Sequence, residues 1–445
     1  MKHFKNIHVG GKSIVVTGVQ SSKTVPPVSL KLKINNAEIT EENKVVPWGV
    51  DNLYPNNFYN NKFLKNGAAV GGQAALRGTH YGTGIQLVKE IQNESTQEID
   101  LQKQLISKYA DIKLFFKENN INKFFFGKIT DQSLFNLSFT EHVLSMDQNS
   151  IVRAKRHKAA HCRYAPQDKD GNIPFVYINT DWKNYTANST LEIVYIDTES
   201  MTVEEIKLYC KEKGIYNFIT SSCHPLVDES YYPKTAWHAV DRSGWMDVAN
   251  SVPELKKAIF ENQLHFKYMI YVSDYYFESF YKEEWDDFDA DKRQKLREDL
   301  SKNIDDYMSG NEAAGRSLVS PIFEENGKFV EGIKVEPIDN KLKDGSYLPD
   351  ASAANVEILF AMAVDPVIIG AINAGSNQGR SGSDKREAYT ILSANLTPIR
   401  HITVDDFELW RDFNGWDEDL IAVFPSVNLT TLDKNPNGQT TVING

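Results

Sequence analysis

Apolar residues recur at helical spacing in several stretches of the sequence. The longest stretch begins at Val252, and its apolar and aromatic positions nearly encircle the rod, which predicts one helix over 252–280. At 1.5 Å per residue this helix would be about 40 Å long. The same spacing predicts helices over 98–119, 203–213, 292–308 and 350–364. Because a helix with several apolar sides needs several neighbours, we expect 252–280 to pack inside a large domain or between subunits.

Strand-like segments lie between these helices. Residues 120–250 contain short apolar runs at 124–126, 136–139, 173–178 and 191–196, and each run predicts a strand. An Asp-Gly turn over 168–171 leads into the third of them. Two shorter runs lie within a polar N-terminal stretch that we expect to form an arm. The sequence therefore predicts an α+β fold.

The stretch from 347 to 416 consists of two predicted helices around a polar loop. Pro349 suits the first turn of the first helix, and the ring of Pro366 ends that helix. Residues 370–382 are too rich in Gly, Ser and Asn for regular structure. Pro398 must kink the second helix because its ring removes a hydrogen-bond donor. A polar loop between two helices, without a catalytic group, indicates a mechanical part.

Composition narrows the class of protein. The 445 residues are 41% hydrophobic and 24% charged, which is typical of a soluble globular chain with the length of about three domains. No run approaches the roughly 20 apolar residues of a membrane span, so we expect no membrane partner. The three cysteines have no framework spacing and fit a reducing compartment. The N-terminus has no apolar signal core, which predicts a chain made in the cytoplasm.

The net charge bears on nucleic acid binding. A value of −11 argues against a protein that grips nucleic acid tightly, since such proteins carry a basic surface. It does not argue against a conduit, because carboxylates along a channel repel phosphates and reduce sticking. The net charge therefore does not discriminate between a protein that does not bind nucleic acid and one that lets DNA slide past.

Patterns that would indicate catalysis are incomplete. His238, Asp241 and Ser243 lie within one short segment, where a catalytic relay rarely converges. The loop that begins at Gly375 is one residue shorter than a Walker A loop and has Arg380 in place of lysine. Histidine and cysteine show no zinc-finger spacing. We expect no enzyme, cofactor or metal, and a nucleotide-binding enzyme that uses the Gly375 loop stays as one alternative.

The order of the elements resembles the portal proteins of tailed bacteriophages, of the long-tailed phage type. The resemblance rests on Val-Asp-Pro-Val-Ile-Ile-Gly at 364–370, the glycine-rich loop, and Ser-Asp-Lys-Arg-Glu-Ala at 383–388 running into Leu-Thr-Pro at 396–398. The segment Gly-Asn-Glu-Ala-Ala-Gly-Arg at 310–316 is similar to one in the portal clip, although an Asn-Ala pair is expected where two alanines stand.

The resemblance implies a portal-like architecture with an α/β wing, a long-helix stem, a small α/β clip and a kinked wing helix. The implied order is an N-terminal arm over 1–45, the wing over 46–250, a first stem helix over 251–280, the clip over 281–346, a second stem helix over 347–365, a tunnel loop over 366–382, the kinked wing helix with a reduced crown over 383–425, and a flexible tail over 426–445.

The resemblance also implies a function without chemistry. Portal subunits form a ring, usually of twelve copies, at one capsid vertex, and double-stranded DNA is packaged and ejected through the ring. The implied partners are further copies of the chain, DNA, the terminase, the major capsid protein, the scaffold and a neck or tail adaptor. The implied location is the virion, after assembly in the host cytoplasm. A different structural virion protein, such as an adaptor or a minor capsid protein, is the other alternative.

Two sets of residues would serve this function. The first set faces DNA from the tunnel loop: Asn373, Ser376, Asn377, Gln378 and Arg380. The second set packs subunits together through the two stem helices: Leu255, Ile259, Phe266, Ile270, Ile358 and Leu359. The first set offers hydrogen-bonding groups and one cation that could touch a phosphate transiently.

Overall fold

The computed structural model describes residues 7–10, 13–16, 44–92, 99–186, 189–227, 230–263, 268–309, 322–325, 327–337, 348–370 and 382–427. The chain forms two compact units. The first unit combines Met1–Ser243 with Val356–Gly445, and the second comprises Gly244–Asn355. The first unit is therefore built from two separate stretches of the chain.

The described strands are β1 (Ile7–Gly10), β2 (Ser13–Val16), β3 (Gln86–Gln92), β4 (Ile99–Lys103), β5 (Leu137–Leu144), β6 (Ile151–His157), β7 (Cys162–Tyr164), β8 (Phe175–Ile178), β9 (Leu191–Val194), β10 (Asn217–Cys223), β11 (Tyr268–Val272), β12 (Ile322–Glu325), β13 (Lys328–Glu331), β14 (Ile333–Pro337) and β15 (Ile421–Val423). The described helices are α1 (Tyr54–Asn57), α2 (Gly67–Tyr81), α3 (Ala110–Glu118), α4 (Ile121–Phe135), α5 (Val203–Lys213), α6 (Ala239–Arg242), α7 (Trp245–Gln263), α8 (Asp274–Tyr281), α9 (Glu284–Asp287), α10 (Ala290–Ser309), α11 (Leu348–Ala361), α12 (Gly382–Asn395), α13 (Thr397–Thr403) and α14 (Asp405–Asn414). None of these helices combines the length and apolarity needed to span a bilayer.

Antiparallel sheets organise the described part of the first unit. β5 lies between β10 and β6, β8 lies between β7 and β9, and β3 lies between β15 and β4. In the first of these sheets Thr140 stands opposite Thr220. In the third, Ile421 stands opposite Val88, so the C-terminal stretch completes a sheet that begins early in the chain.

Aromatic side chains of α3, α4 and α14 fill the core of the first unit. Trp410 is fully buried, and its ring centroid lies 5.0 Å from that of Phe115 and 5.3 Å from that of Phe124. Phe125 and Ile129 on α4 are also fully buried. Each aromatic ring buries about 150–250 Å² of surface, so this cluster buries a large apolar area between α14 and the helices α3 and α4.

The second unit contains an aromatic cluster of its own around Trp285. The rings of Phe277 and Trp285 stack with centroids 5.0 Å apart, and the guanidinium group of Arg293 lies over the Trp285 ring. β12 and β13 form a hairpin, in which Gly327 has a φ of 77° that suits a tight turn. β11 pairs with β14 in antiparallel orientation.

The predicted continuous helix over 252–280 is wrong. α7 begins earlier than expected and ends at Gln263, whereas the run Tyr-Met-Ile-Tyr-Val at 268–272 forms β11. Ile270, predicted on the stem helix, stands opposite Val335 of β14. β-branched and aromatic side chains favour extended chain, and the pairing with β14 outweighs the helical spacing that the sequence shows.

Two further predictions differ from the structure. Only 110–118 of the predicted helix 98–119 is α-helical, because 99–103 pair with β3 as a strand. The predicted strand at 124–126 lies inside α4, which is enclosed on most sides and so lacks the polar face that separates a helical pattern from a strand pattern. The residues after α14 pair with β3 as β15, and a reduced crown within 383–425 stays a prediction.

Other predicted elements are confirmed, and so is the mixed α+β class. The helix over 203–213 is α5, which begins with a capping box between Thr202 and Glu205. α10 and α11 overlap the helices predicted over 292–308 and 350–364. Near the predicted kink at Pro398 the helix is interrupted at Leu396, which lies between α12 and α13.

A buried ion pair joins α14 to α4. The ammonium group of Lys128 donates to Oδ2 of Asp406 across 2.8 Å, and the hydroxyl group of Thr140 donates to the same oxygen across 2.8 Å. The side chains of Lys128 and Asp406 are 1% and 5% exposed. Nearby, Trp410 Nε1 donates to His142 Nδ1 across 3.0 Å. Because water hardly reaches the pair, each charge depends on the other.

Removing one member of this pair should destabilise the fold strongly. We expect Lys128→Met to lower the free energy of unfolding by about 3–5 kcal/mol, because the carboxylate of Asp406 stays buried without its partner. Urea denaturation followed by tryptophan fluorescence measures the change. As a control, Lys155→Met removes a lysine whose side chain is 65% exposed and should cost less than about 1 kcal/mol.

A double variant tests the coupling directly. Adding Asp406→Leu to Lys128→Met leaves neither charge in the core, so the second substitution should cost much less than Asp406→Leu does alone. Additive losses would contradict a coupled pair.

Buried histidines make the first unit sensitive to acid. Burial lowers the pKa of His80 and His238 to about 3, and the pKa of His142 and His224 to about 4, from the ordinary value of 6.5. Asp405 has the opposite effect, because burial raises the pKa of its carboxyl group to about 6. The lowered pKa values of the four histidines keep their imidazole rings neutral in the folded chain at physiological pH.

We expect stability to fall as the pH drops below about 6.5. Between pH 6.5 and about 4 the unfolded chain binds protons that these folded histidines reject, and linkage converts each such proton into about 1.4 kcal/mol per pH unit. Asp405 offsets one proton of this difference. Urea denaturation at pH 7.5 and pH 5 measures the loss, and His238→Phe should reduce the slope by about one proton. Equal stability at both pH values would contradict the prediction.

Candidate functional site at the base of the glycine-rich loop

The end of α11 is fixed by a helix-stop motif. Ala363 has a left-handed φ of 54°. Its N–H group donates to the carbonyl oxygen of Phe360 across 2.9 Å, and the N–H group of Val364 donates to that of Leu359 across 3.0 Å. These two bonds form a Schellman motif, which is usually built on glycine. An alanine in this conformation costs about 1 kcal/mol, so the surrounding contacts must hold it there.

A tight turn follows the helix stop and leads toward the loop. The N–H group of Val367 donates to Oδ1 of Asp365 across 2.8 Å, and the N–H group of Ile368 donates to the Asp365 carbonyl oxygen across 2.9 Å. Pro366 fits the second position of this turn because its ring fixes φ near the required value. Local hydrogen bonds therefore define the path of the chain up to Gly370.

Two glycines of α2 allow the end of α11 to come close. A Cβ atom on Gly72 would lie 2.8 Å from Sδ of Met362 and 3.0 Å from Cδ2 of Leu359, both closer than ordinary contact. A Cβ atom on Gly71 would lie 3.8 Å from Cδ1 of Ile369. Met362 and Leu359 are buried. The small residues of α2 thus provide the surface on which the segment 359–369 packs.

An arginine connects the other side of the loop to the same helix. α12 packs against α2, and Arg400 on the following helix, α13, is 7% exposed. Its guanidinium group donates to the carbonyl oxygens of Thr79 and His80 in the last turn of α2, and to Ser426 Oγ. A cation suits this position because the carbonyl groups at a helix C-terminus carry partial negative charge. Both segments that bracket residues 371–381 are therefore anchored on α2.

The predicted DNA-facing residues lie outside the part of the chain that the structure describes. They are Asn373, Ser376, Asn377, Gln378 and Arg380. The Gly375 loop of the nucleotide-binding alternative lies in the same stretch. The described geometry therefore concerns the two ends of this segment.

The predicted subunit-packing residues are spread over different environments. Ile358 and Leu359 are 0% and 3% exposed, so they pack inside this chain in place of the predicted contact with a neighbouring copy. Leu255 on α7 is 41% exposed. Ile259 belongs to the same helix, and Phe266 lies outside the described residues. Large exposed apolar side chains among the described residues of α11 are Val356 and Phe360.

The residues that could have formed a catalytic triad have other partners. Nδ1 of His238 lies 3.3 Å from the hydroxyl oxygen of Tyr54, and Asp241 accepts a hydrogen bond from Lys62 across 2.6 Å. The hydroxyl group of Ser243 donates to the backbone carbonyl oxygen of Val240. These bonds serve local structure and leave no relay among the three side chains. Within the described ranges, no group of three His, Cys, Asp or Glu side chains is arranged to hold a metal ion.

Sequence reasoning missed the importance of Gly72 and Arg400. The glycine-rich composition of 66–76 predicts close packing, but the pattern does not say what approaches. Arg400 follows Pro398 on a stretch with helical spacing, where a lone arginine is ordinarily a solvent-facing residue. Only the folded structure shows that Arg400 is buried next to apolar residues.

The mixed helix-and-sheet fold defined by these elements is shared with chains of gene transfer agent (GTA) particles. A chain in the neck of a native GTA particle, computed with C12 symmetry, aligns over 89% of this chain and 89% of its own length, with a TM-score of 0.54 and 14% identity. A chain in the neck of an empty GTA particle, computed with C6 symmetry, aligns over 86% and 85%, with a TM-score of 0.52 and 13% identity. A chain in the virion of a native gene transfer agent (GTA) particle aligns over 87% and 86%, with a TM-score of 0.51 and 14% identity.

The likeness covers most of each chain and establishes a common fold. No protein-family model matches the sequence, and no curated protein matches it either. At sequence identities of 13–14%, this structural likeness shows the fold of the chain and does not show its function.

We call the segments on either side of 371–381, where they pack on α2, the loop base. Two glycines on α2 offer a matched test of it. Gly78→Ala should raise the free energy of unfolding by about 0.5–1 kcal/mol, because no atom lies within 4 Å of its added Cβ and alanine favours helix. Gly72→Ala gains the same helix propensity but meets Met362 and Leu359, so we expect a net loss of about 1–2 kcal/mol. Urea denaturation of both variants measures the difference. Equal stabilisation by both substitutions would contradict a close contact at Gly72.

Proposed function

We propose that this chain is a portal subunit: one member of a ring at a single capsid vertex through which double-stranded DNA is packaged and ejected. The observation that carries the proposal is the loop base, where a long segment without a catalytic group is anchored at both ends on one helix. The fold shared with chains of the GTA neck supports it, since one of those necks was computed with C12 symmetry. The resemblance of the motifs around 364–398 to portal proteins points the same way.

In this proposal the two compact units have different tasks. The first unit supplies the wing, the end of the second stem helix and the kinked wing helix, and the second unit supplies the first stem segment and the clip. The tunnel loop approaches DNA with Asn373, Ser376, Asn377, Gln378 and Arg380. A single cation per subunit touches phosphates briefly, while the acidic balance of the chain limits sticking.

The proposed ring also defines partners and location. Neighbouring copies contact one another through heterologous surfaces, which close into a ring when the rotation between subunits fits. Exposed apolar residues such as Phe360, at 76%, and Leu255 are candidates for these surfaces. The terminase, the major capsid protein, the scaffold and a neck or tail adaptor bind the ring in turn, first in the host cytoplasm and then in the virion. The subunit itself performs no chemistry.

The first expected outcome is a ring. Negative-stain microscopy and mass photometry of the protein, expressed with its capsid and scaffold proteins, should show rings of about twelve subunits with a hole wide enough for duplex DNA. Compact monomers or dimers under these conditions, with nucleotide-dependent stability, would favour the enzyme alternative. Heads that assemble normally without this chain at a vertex would favour an adaptor or minor capsid protein.

A deletion then tests the loop. Removing 375–379 should leave ring assembly intact and lower the DNA content of mature heads, because the anchored ends of the loop stay in place while its central residues are lost. A deletion of equal length in the C-terminal tail, 436–440, serves as the control and should change neither property. Unchanged DNA content after the loop deletion would contradict the proposed role.

A further inference from the structure

A groove of about 760 Å³ between α5, β10 and α14 of the first unit carries negative charge, and we call it the acidic groove. Among the described residues that line it, every charged side chain is a carboxylate: Asp197, Glu199, Asp405, Asp406, Glu408 and Asp412. Lys128 pairs with Asp406, but Glu199, Glu408 and Asp412 are exposed. The described wall of this groove therefore attracts cations from solvent.

The carboxylates of the acidic groove lie close enough to repel one another. Burial raises the pKa of Asp405 to about 6, and the nearby charges of Glu408 and Glu199 add to the rise. Lys128 offsets only part of this effect. A partner that brings cations into the groove relieves the repulsion, and the apolar floor at Leu137 and Val203 gives such a partner a surface to pack against.

The opposite charge lines a second groove of the first unit, also of about 760 Å³, where β3, β4, α3 and α4 meet. Among the described residues that line it, the charged side chains are Lys103, Lys117 and Lys123, all of them exposed. Residues 117–123 are the corner between α3 and α4 and form one rim of this groove, which we call the basic rim. Glu118 belongs to the same corner but does not line the groove.

The aromatic core separates the acidic groove from the basic rim. Phe116, next to the basic rim, has its ring centroid 6.2 Å from that of Phe407 on α14. One face of α14 carries Asp405, Glu408 and Asp412, at positions i, i+3 and i+7. Phe407 lies on another face of the helix. α14 therefore directs aromatic rings toward the side of the basic rim and carboxylates toward the acidic groove.

We propose that the basic rim of one copy sits in the acidic groove of a second copy, so that first units join head to tail. A contact between two different surfaces of the same chain is heterologous, and repetition of such a contact closes a ring when the rotation fits. A convex corner with two lysines complements a concave wall of carboxylates in both shape and charge. This inference rests on the proposed ring, because it assigns the surfaces through which neighbouring subunits meet.

Charge reversal on either side tests the contact. Lys117→Glu with Lys123→Glu makes the rim negative, and Glu199→Lys with Glu408→Lys makes the groove more positive. Each pair should lower the yield of rings about tenfold, because like charges then face each other across the interface. Mass photometry and negative-stain microscopy of protein expressed with its capsid and scaffold proteins measure the yield.

A control pair separates this effect from a change of net charge. Arg153→Glu with Lys158→Glu alters the net charge as much as the rim variant does, at exposed positions that line neither groove. It should leave the yield of rings unchanged. Far-UV circular dichroism checks that all variants are folded.

Mixing the two reversed variants gives the decisive result. One variant then has a negative rim and a negative groove, and the other has a positive rim and a less negative groove. Coexpression should restore rings in which the two variants alternate, whereas each variant alone assembles poorly. For the wild type, raising NaCl from 0.1 M to 1 M during assembly should lower the yield, because the Debye length falls from about 10 Å to about 3 Å. This last comparison needs no substitution and so does not depend on the folding of a variant.

The possible failures are distinguishable. Wild-type yields from both reversed variants, or no recovery when folded variants are mixed, would overturn this contact and leave the ring standing. Normal rings that no longer bind another virion protein would assign the charged surfaces to that protein and overturn the contact between copies. No rings from the wild type under any of these conditions would overturn the proposed function and this contact together.

Discussion

The contact of α14 with α4 and β5 is the constraint on which the rest of the first unit depends, because it joins the late stretch of the chain to the early one. Two different forces act there. The aromatic rings around Trp410 supply most of the free energy, while the pair of Lys128 with Asp406 contributes little net energy once the cost of removing both charges from water is counted. The pair instead penalises every arrangement in which one charge loses the other, so it selects a single register of α14.

The loop base repeats this division between close packing and directed polar contacts. On one side the lack of a side chain on Gly72 of α2 lets Met362 and Leu359 approach, a contact that depends on shape alone. On the other side Arg400 donates to backbone carbonyl oxygens, a contact that depends on direction. Different perturbations disrupt these two contacts. Salt and pH hardly affect the close packing of Met362 and Leu359 on α2, whereas a change in side-chain volume hardly affects the hydrogen bonds of Arg400. Because both kinds of contact anchor the ends of the loop on α2, these ends are harder to displace than they would be with either contact alone.

Sequence patterns predicted the parts of this fold that local chemistry decides. The helix over 203–213 and the kink at Pro398 depend on residues within a few positions, and the structure has both. The patterns failed where distant partners decide: the segment at 268–272 became a strand because β14 lies beside it, and 124–126 became helical because the core surrounds α4. The site shows the same limit. The glycine-rich run and the loop were visible in the sequence, but the close approach at Gly72 and the burial of Arg400 arise from residues about 290 and 320 positions apart.

The construction of the first unit from two stretches has a consequence for synthesis on the ribosome. The sheet that contains β3 needs β15, and the aromatic core needs Trp410, so neither can close until translation has passed these positions. At about 5–20 residues per second, the earlier part of the unit waits tens of seconds with apolar surface uncovered. Chains that stop short of Phe424 never bury that surface and remain targets for chaperones and proteases. Late completion of the core thus restricts the pool of assembling molecules to those whose translation has passed Phe424.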